Sequence, residues 1–288
     1  MPTHQRSALI VDPSHDISAM LPRVFDRSEW KVDRAPDNGS ALALVQVKTF
    51  DIILTSEKTS GLEDVDLLRR IRAIRPHTRM IILAPRSTPK EVIAAIREHA
   101  FSYFTLPFSV TGLAEMVQHA MDAECWDDGI ELISAKPQWI HLFARCDLDT
   151  AERLTQFIHE VGDDLPEPER DAVGRAFREM LLNAIEHGGG FDPSEYVEIS
   201  YLRTRRAVSC RILDPGKGFS LKDIPHAAVA NPPDDPFRHL EHRDAKGLRP
   251  GGYGVLLARE LVDELLYGEK GNEVVLIKYI DGKPAPAG

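Results

Sequence analysis

The sequence has few cysteines and no excess of positive charge, and each shortage argues against a class of protein. Its 288 residues include three cysteines, Cys125, Cys146 and Cys210. This odd number, without the paired spacing of a zinc site, argues against a disulfide framework. Acidic residues outnumber basic ones, 45 against 35. Generic nucleic-acid binding would need a local basic patch, which we do not find, so we expect no direct contact with nucleic acid.

Long apolar runs are also missing. No stretch approaches the roughly 20 apolar residues that a membrane-spanning helix needs. The first residues, MPTHQRSALIVD, contain no apolar signal segment. We therefore expect a protein of the reducing cytoplasm, whose link to any membrane would run through a partner.

What is present indicates two folded domains. The composition, 43% hydrophobic and 28% charged, is typical of a globular protein, and 288 residues fit two domains of about 100–150 residues each. The polar segment CWDDG follows a long predicted helix and precedes a strand-like run. We therefore predict a first domain over residues 1–124, a linker over 125–129 and a second domain over 130–288.

The first domain alternates short apolar runs with amphipathic helical stretches, which predicts an α/β fold with a parallel, doubly wound sheet of the flavodoxin-like type. Helices are predicted over 64–74 and 89–99, among others. The five predicted strands are Ala8–Val11, Trp30–Ala35, Asp51–Thr55, Arg79–Leu83 and Ser102–Thr105.

The second domain has a different order of elements, which predicts an α+β two-layer sandwich. A strand-like run, IELISAKPQWIHLFARC, precedes an amphipathic stretch near 150–161 and a long helix from about Glu169 to His187; two strands, another helix and a final strand complete the order. Residues 220–250 include five prolines and many charges, so regular structure throughout is excluded, and we expect a functional lid or a disordered loop there.

The long helix carries three polar residues at intervals of four. Glu179, Asn183 and His187 therefore project from one face, drifting slowly round it. An amide oxygen of Asn183 suits Mg²⁺, and Glu179 could orient or deprotonate an attacking hydroxyl or water. A solvated polar face explains this segment alone equally well.

Two glycine-rich segments follow. Asp214 ends a predicted strand and could accept a hydrogen bond from an adenine amino group, while Gly216 and Gly218 would let backbone approach a ligand; a tight turn explains the same letters. Further on, Gly251, Gly252 and Gly254 open a predicted helix. Free N–H groups at such a start suit phosphate, although an ordinary helix N-terminus is the alternative.

Together, the segments EMLLNAIEHG, ILDPGKGF and GGYGVLLARELVDEL resemble the histidine-kinase-like (GHKL) ATPases shared by gyrase and sensor kinases. The closer resemblance, over roughly residues 130–280, is to the anti-sigma-factor serine kinases. It implies ATP and Mg²⁺ as cofactors, with Glu179 as catalytic base and Asn183 as metal ligand. Asp214 would contact adenine, and the implied nucleotide-cradling glycines are Gly216, Gly218, Gly252 and Gly254.

The first domain, through ALIVDPSHD, FDIILTS and FSYFTLPF, resembles the receiver domains of response regulators over roughly 7–124. That family needs a second acid after the first strand, an acceptor aspartate, a hydroxyl and a lysine. The four corresponding positions hold Pro13, Ser56, Ala84 and Leu106, although Asp12 keeps the first acid. We therefore expect no aspartyl phosphorylation. The domain is interpreted as a docking or dimerisation module, with a relic or alternative phosphosite at Asp12 and Ser56 as the other interpretation.

The resemblances imply a cytoplasmic signalling regulator that binds Mg-ATP and phosphorylates a serine of an antagonist protein. Its expected partners are an anti-anti-sigma-like antagonist or a sigma-like regulator, with docking through the receiver-like domain and a possible homodimer. One alternative is a nucleotide-binding module that sequesters a partner without kinase activity. The other is an atypical histidine kinase, for which His119 and His159 are poor phosphoacceptor candidates.

Overall fold

The protein is described from a computed structural model. It describes residues 5–12, 21–26, 28–55, 61–122, 128–218 and 253–281. Contacts divide the chain into two compact units with a break after Asp128, and the segment Gln156–Asp163 groups with the first unit. Of the predicted linker, 125–127 lies outside the described residues, and the domain boundaries remain a prediction.

The first unit is built on a five-stranded sheet in which every strand pair is parallel, in the order β2-β1-β3-β4-β5. Its strands and helices, in chain order, are β1 (Arg6–Val11), α1 (Leu21–Val24), β2 (Trp30–Ala35), α2 (Asn38–Val47), β3 (Ile52–Thr55), α3 (Gly61–Ile74), β4 (Arg79–Ala84), α4 (Pro89–Arg97), β5 (Ser102–Thr105) and α5 (Val110–Asp122).

The central strands form because each is a short, continuous apolar run that the sheet buries on both faces. All four residues of β3 are fully buried, as are Met80–Ala84 of β4. Helix α4 starts where the sequence provides a capping box, in which Thr88 and Glu91 exchange hydrogen bonds ahead of an apolar face. The α/β fold with a flavodoxin-like parallel sheet is therefore confirmed.

The second unit is built on a six-stranded sheet, antiparallel throughout, in the order β10-β11-β9-β8-β7-β6. Its elements are β6 (Ile130–Lys136), β7 (Trp139–Arg145), α6 (Leu148–Val161), α7 (Glu167–Asn183), β8 (Tyr196–Arg203), β9 (Ala207–Leu213), α8 (Gly254–Leu261), β10 (Glu264–Tyr267) and β11 (Glu273–Tyr279).

Helix α7 covers one face of this sheet, and α8 packs against α7. The strands show the matching alternation: Ile140, Leu142 and Ala144 of β7 are buried, whereas Trp139 is exposed. Helices on one face of an antiparallel sheet make the predicted α+β two-layer sandwich, which is confirmed.

The long helix differs from its prediction at its end. The regular α-helix stops at Asn183, and residues Ala184–Gly188 form one π-helical turn instead. The prediction of a single α-helix through His187 is therefore wrong for its last turn. His187 lies in the π turn and is exposed, while the turn closes with a hydrogen bond from Gly189 N–H to the Ala184 carbonyl oxygen.

Candidate functional site

Helix α7 presents Glu179 and Asn183 one turn apart. The helix buries an apolar stripe that includes Phe177, Met180 and Leu181, so the two polar residues fall outside that stripe. Both are half-buried, and the Glu179 side chain keeps 30% of its exposure. The pair is thus accessible to a ligand while its position is fixed by a packed helix.

The start of helix α8 faces this pair. A methyl group on the α-carbon of Gly254 would lie 2.7 Å from Glu179 Oε2 and 3.5 Å from Asn183 Nδ2. The N-cap residue of α8, Tyr253, makes no side-chain capping hydrogen bond, and Gly254 is the first residue of the helix. The structure therefore brings together three of the predicted site residues. Gly252, predicted with them, lies outside the described residues, as does Gly251.

A second group of predicted residues meets at the π turn. Asp214 follows strand β9, and its Oδ1 accepts a hydrogen bond of 2.8 Å from the Gly216 N–H. A methyl group on Gly188 would lie 2.3 Å from Asp214 Cγ, and one on Gly216 would lie 2.9 Å from the Gly188 α-carbon. The Asp214 carboxylate therefore packs directly against the chain that leaves α7, which only glycine allows.

The loop that carries Asp214 is fixed by the turn before β11. The Asp214 N–H donates to the Asn272 carbonyl oxygen at 2.9 Å, and Asn272 Nδ2 donates to the Asp214 carbonyl oxygen at 3.1 Å. Gly218 has φ of +79°, and a methyl group there would lie 1.8 Å from the Lys270 carbonyl oxygen. Gly218 therefore supports the loop that carries Asp214.

Burial raises the pKa of Asp214 above that of an ordinary aspartate, and the Gly216 N–H, which stabilises the charged form, offsets this in part. A raised pKa at a half-buried carboxylate is consistent with a binding position. Nearby, burial raises the pKa of Cys146 to about 11, and Gly189 packs against its sulfur. The Cys146 thiol is therefore kept protonated and acts as a packing group.

The sequence did not reveal several residues that complete this site. Gly188 and Gly189 are needed because larger residues would collide with Asp214 and Cys146; the run HGGG was a signal for them. Asn272 is linked to Asp214 only through the fold. Glu152, on α6, lies beside α7 and binds Arg178. Nothing in the spacing of these residues along the chain predicted that contact.

Within the described parts of the chain, no group of three or more His, Cys, Asp or Glu side chains could hold a metal ion. A magnesium ion at Asn183 would have the side-chain amide oxygen of Asn183 as a protein ligand, and water and phosphate oxygens could fill other positions of the octahedron that Mg²⁺ prefers. Of the described helices, none is long and apolar enough to cross a membrane.

In the first unit, the receiver-like positions lie at the carboxyl ends of the strands, as the prediction required. Asp12 follows β1 and is buried, Ala84 ends β4 fully buried, and Leu106 follows β5. Pro13 and Ser56 lie outside the described residues. The side chains that are described at this edge thus include one carboxylate, and the absence of aspartyl phosphorylation stays a prediction.

Comparison with known proteins gives two family matches. The response regulator receiver domain matches residues 8–118, and the histidine kinase-like ATPase domain matches residues 144–278. These matches agree with both sequence resemblances and with the two observed sheets.

Individual relatives cover only part of the chain. Sporulation initiation phosphotransferase F of Bacillus subtilis is 24% identical over 110 residues, which are 38% of this chain and 89% of that protein. The DNA-binding transcriptional regulator NtrC of Azospirillum brasilense is 28% identical over 116 residues, 40% of this chain. This chain spans only about a quarter of that regulator, 24% of its length.

Among solved structures, a CheY-like response regulator receiver domain protein from Methanospirillum hungatei is 21% identical, with a TM-score of 0.38. The match covers 41% of this chain and 95% of that one. The family matches and the observed topology agree over both units. The chain therefore carries a receiver domain of the response-regulator family, followed by a domain of the histidine kinase-like ATPase family.

Proposed function

We propose that this signalling protein binds Mg-ATP in its second domain and transfers the γ-phosphate to a serine of an antagonist protein. The observation that supports this most strongly is the meeting of Glu179, Asn183 and Gly254, three residues from two helices 71 positions apart in the sequence. A solvated helix face would not need a glycine opposite its polar residues. A site for a ligand with phosphate groups would, since a side chain there would fill the space.

Each residue has a role that fits its surroundings. Asn183 offers an uncharged amide oxygen to Mg²⁺, and the half-buried Glu179 carboxylate accepts the proton of the attacking serine hydroxyl. Bound Mg-ATP supplies the phosphoryl group and the metal charge that offsets the phosphates. The first N–H groups of α8 donate to phosphate oxygens, and Gly254 lets them approach.

The Asp214 carboxylate can accept a hydrogen bond from the amino group of adenine. Its Oδ1 accepts the Gly216 N–H, so the carboxylate is oriented before a nucleotide arrives. As an acceptor, it selects a base with an amino group and disfavours one that presents a carbonyl at that position. Gly216 and Gly188 keep the backbone close to the carboxylate. We propose Gly216, Gly218, Gly252 and Gly254 as the glycines that support the nucleotide.

The proposed partner is an anti-anti-sigma-like antagonist or a sigma-like regulator, with the receiver domain as a docking module and a homodimer as a possible assembly. A net charge of −10 disfavours direct nucleic-acid binding. We propose that the protein works in the cytoplasm. Ser56 and Leu106, at the acceptor and lysine positions, support docking rather than phosphorylation as the role of the first domain.

Incubation with γ-labelled ATP, Mg²⁺ and candidate antagonist proteins from the same genome tests the proposal. We expect label on serine of the antagonist with the wild type, and none with Glu179→Gln. Tight nucleotide binding without transfer would instead support a sequestering module. Acid-labile label on a histidine of this chain, such as His119 on α5 or His159 on α6, would support a histidine kinase.

A further inference from the structure

Arg178 precedes Glu179 on helix α7, and it is held from a neighbouring helix. Its Nε donates to Glu152 Oε2 at 3.2 Å, and its Nη2 donates to Glu152 Oε1. This two-point pairing fixes the plane of the guanidinium. The Glu152 carboxylate also raises the pKa of Arg178 above its ordinary value, so the side chain stays charged.

The third nitrogen of the same guanidinium faces Glu179. Arg178 Nη1 lies 3.9 Å from Glu179 Oε1, while Glu179 Oε2 is the oxygen next to Gly254. The two oxygens of the Glu179 carboxylate thus have different neighbours. One is turned towards a fixed positive charge and the other towards the start of α8.

We propose that Arg178, held in place by Glu152, is a positioning residue that orients the Glu179 carboxylate so that Oε2 points to the start of α8. The inference rests on the proposed function, because it gives Oε2 the task of accepting the serine proton. It adds to that function two residues, Glu152 and Arg178, that act through Glu179.

The charges support an orienting role rather than a general stabilising one. Arg178 keeps 41% of its side-chain exposure, and a pair that is this accessible contributes little to folding. The direction of the Glu179 carboxylate matters more to catalysis than to folding, since a misplacement of about 1 Å can lower the rate about a hundredfold. Arg178 also separates two carboxylates, those of Glu152 and Glu179, that would otherwise repel each other and the nucleotide phosphates.

The first test compares phosphotransfer with nucleotide binding. For Arg178→Gln we expect kcat to fall about tenfold while the Kd for Mg-ADP changes less than about twofold. Glu152→Gln should lower kcat less, and the double variant should be no worse than Arg178→Gln alone, because the two residues act in one chain. Arg178→Lys should recover part of the rate, since it keeps the charge without the two-point pairing.

Arg205→Gln is the matched control. It removes one positive charge from an exposed position of the same unit, between β8 and β9, and we expect wild-type kcat and Kd. Thermal melting of each variant verifies folding. An unchanged kcat in Arg178→Gln, or a rise in Kd as large as the fall in kcat, would overturn the inference.

The second test does not depend on kinase activity. Crystal structures of the wild type and Arg178→Gln with Mg-ADP should show the Glu179 carboxylate in the orientation described here in the wild type, and displaced in the variant. The same orientation in both would overturn the positioning role. If the wild type transfers no phosphate, but Arg178→Gln still loses the Glu179 orientation that the wild type shows, the proposed kinase function would be refuted and the positioning role would remain supported.

Discussion

Gly254→Ala should separate catalysis from folding. The added methyl group would lie 2.7 Å from Glu179 Oε2, which is closer than any ordinary contact, and the first contact of normal length begins near 3.4 Å. The carboxylate must therefore retreat by about 0.7 Å. The obstructing atom is the end of a flexible side chain that keeps 30% of its exposure, so the protein can yield there at little cost.

Gly254→Ala should affect activity far more than stability. Alanine is favoured over glycine inside a helix by up to about 1 kcal/mol, and Gly254, the first residue of α8, gains only part of that, so the free energy of unfolding should change little. A catalytic group displaced by a large part of 1 Å loses about tenfold to a hundredfold in rate, and each factor of ten corresponds to about 1.4 kcal/mol in the barrier.

The assay measures phosphotransfer to the antagonist protein and thermal unfolding on the same samples. Gly112→Ala on α5 is the matched control, because its methyl group would meet its nearest atom at an ordinary 3.6 Å. We expect that control to keep its activity. Full activity of Gly254→Ala would refute the assignment of Glu179, and unfolding of Gly254→Ala would refute the geometry of the α7–α8 contact.

Three other predictions concern separate parts of the chain. Asp214→Asn should weaken the binding of ATP more than the binding of GTP in calorimetric titrations. The wild type, but not this variant, should lose ATP affinity as the pH falls through the raised pKa of Asp214. Equal losses of affinity for both nucleotides in the variant would contradict the adenine contact. Gly218→Ala should lower the free energy of unfolding by about 2 kcal/mol or more in denaturant titrations, because φ is +79° and the Lys270 carbonyl oxygen would be 1.8 Å from the new methyl group; unchanged stability would refute the loop geometry. Acetyl phosphate with Mg²⁺ should leave no phosphate on the first domain by mass spectrometry, and Ser56→Asp alone should gain little, because Leu106 leaves the charge clamp incomplete; efficient labelling of the wild type would contradict a docking role.

Much of the first fold could be predicted because its signals are local. Strand β3 differs from its predicted bounds by one residue, since a parallel strand buried on both faces is a continuous apolar run. Strands β2 and β5, at the two edges of the sheet, have the predicted bounds. The helix predicted over 64–74 begins earlier, at Gly61, because its first turn exposes the apolar Leu62 and buries the polar Asp64, and so gives no apolar period.

The second domain shows where local signals end. The α7 pattern predicted Glu179 and Asn183 on one face, but not the π turn that follows Asn183. That turn accompanies a close approach between Gly188 and Asp214, 26 residues apart, which a helical period cannot encode. The Arg178 contact with Glu152 joins two helices in the same way. The candidate site residues could therefore be predicted from the sequence, whereas the residues that orient their side chains could be identified only from the fold.

Calorimetric titration of the wild type and Asn183→Ala with ATP, in the presence and absence of Mg²⁺, tests whether Asn183 holds the metal of bound Mg-ATP. We expect the wild type to bind ATP more tightly with Mg²⁺, and Asn183→Ala to lose this Mg²⁺-dependent gain. Asn183 is half-buried and lies outside the apolar stripe of α7, so the variant should melt at the wild-type temperature. Equal Mg-ATP affinity in the two proteins, or no binding by the wild type, would contradict the assignment of this site.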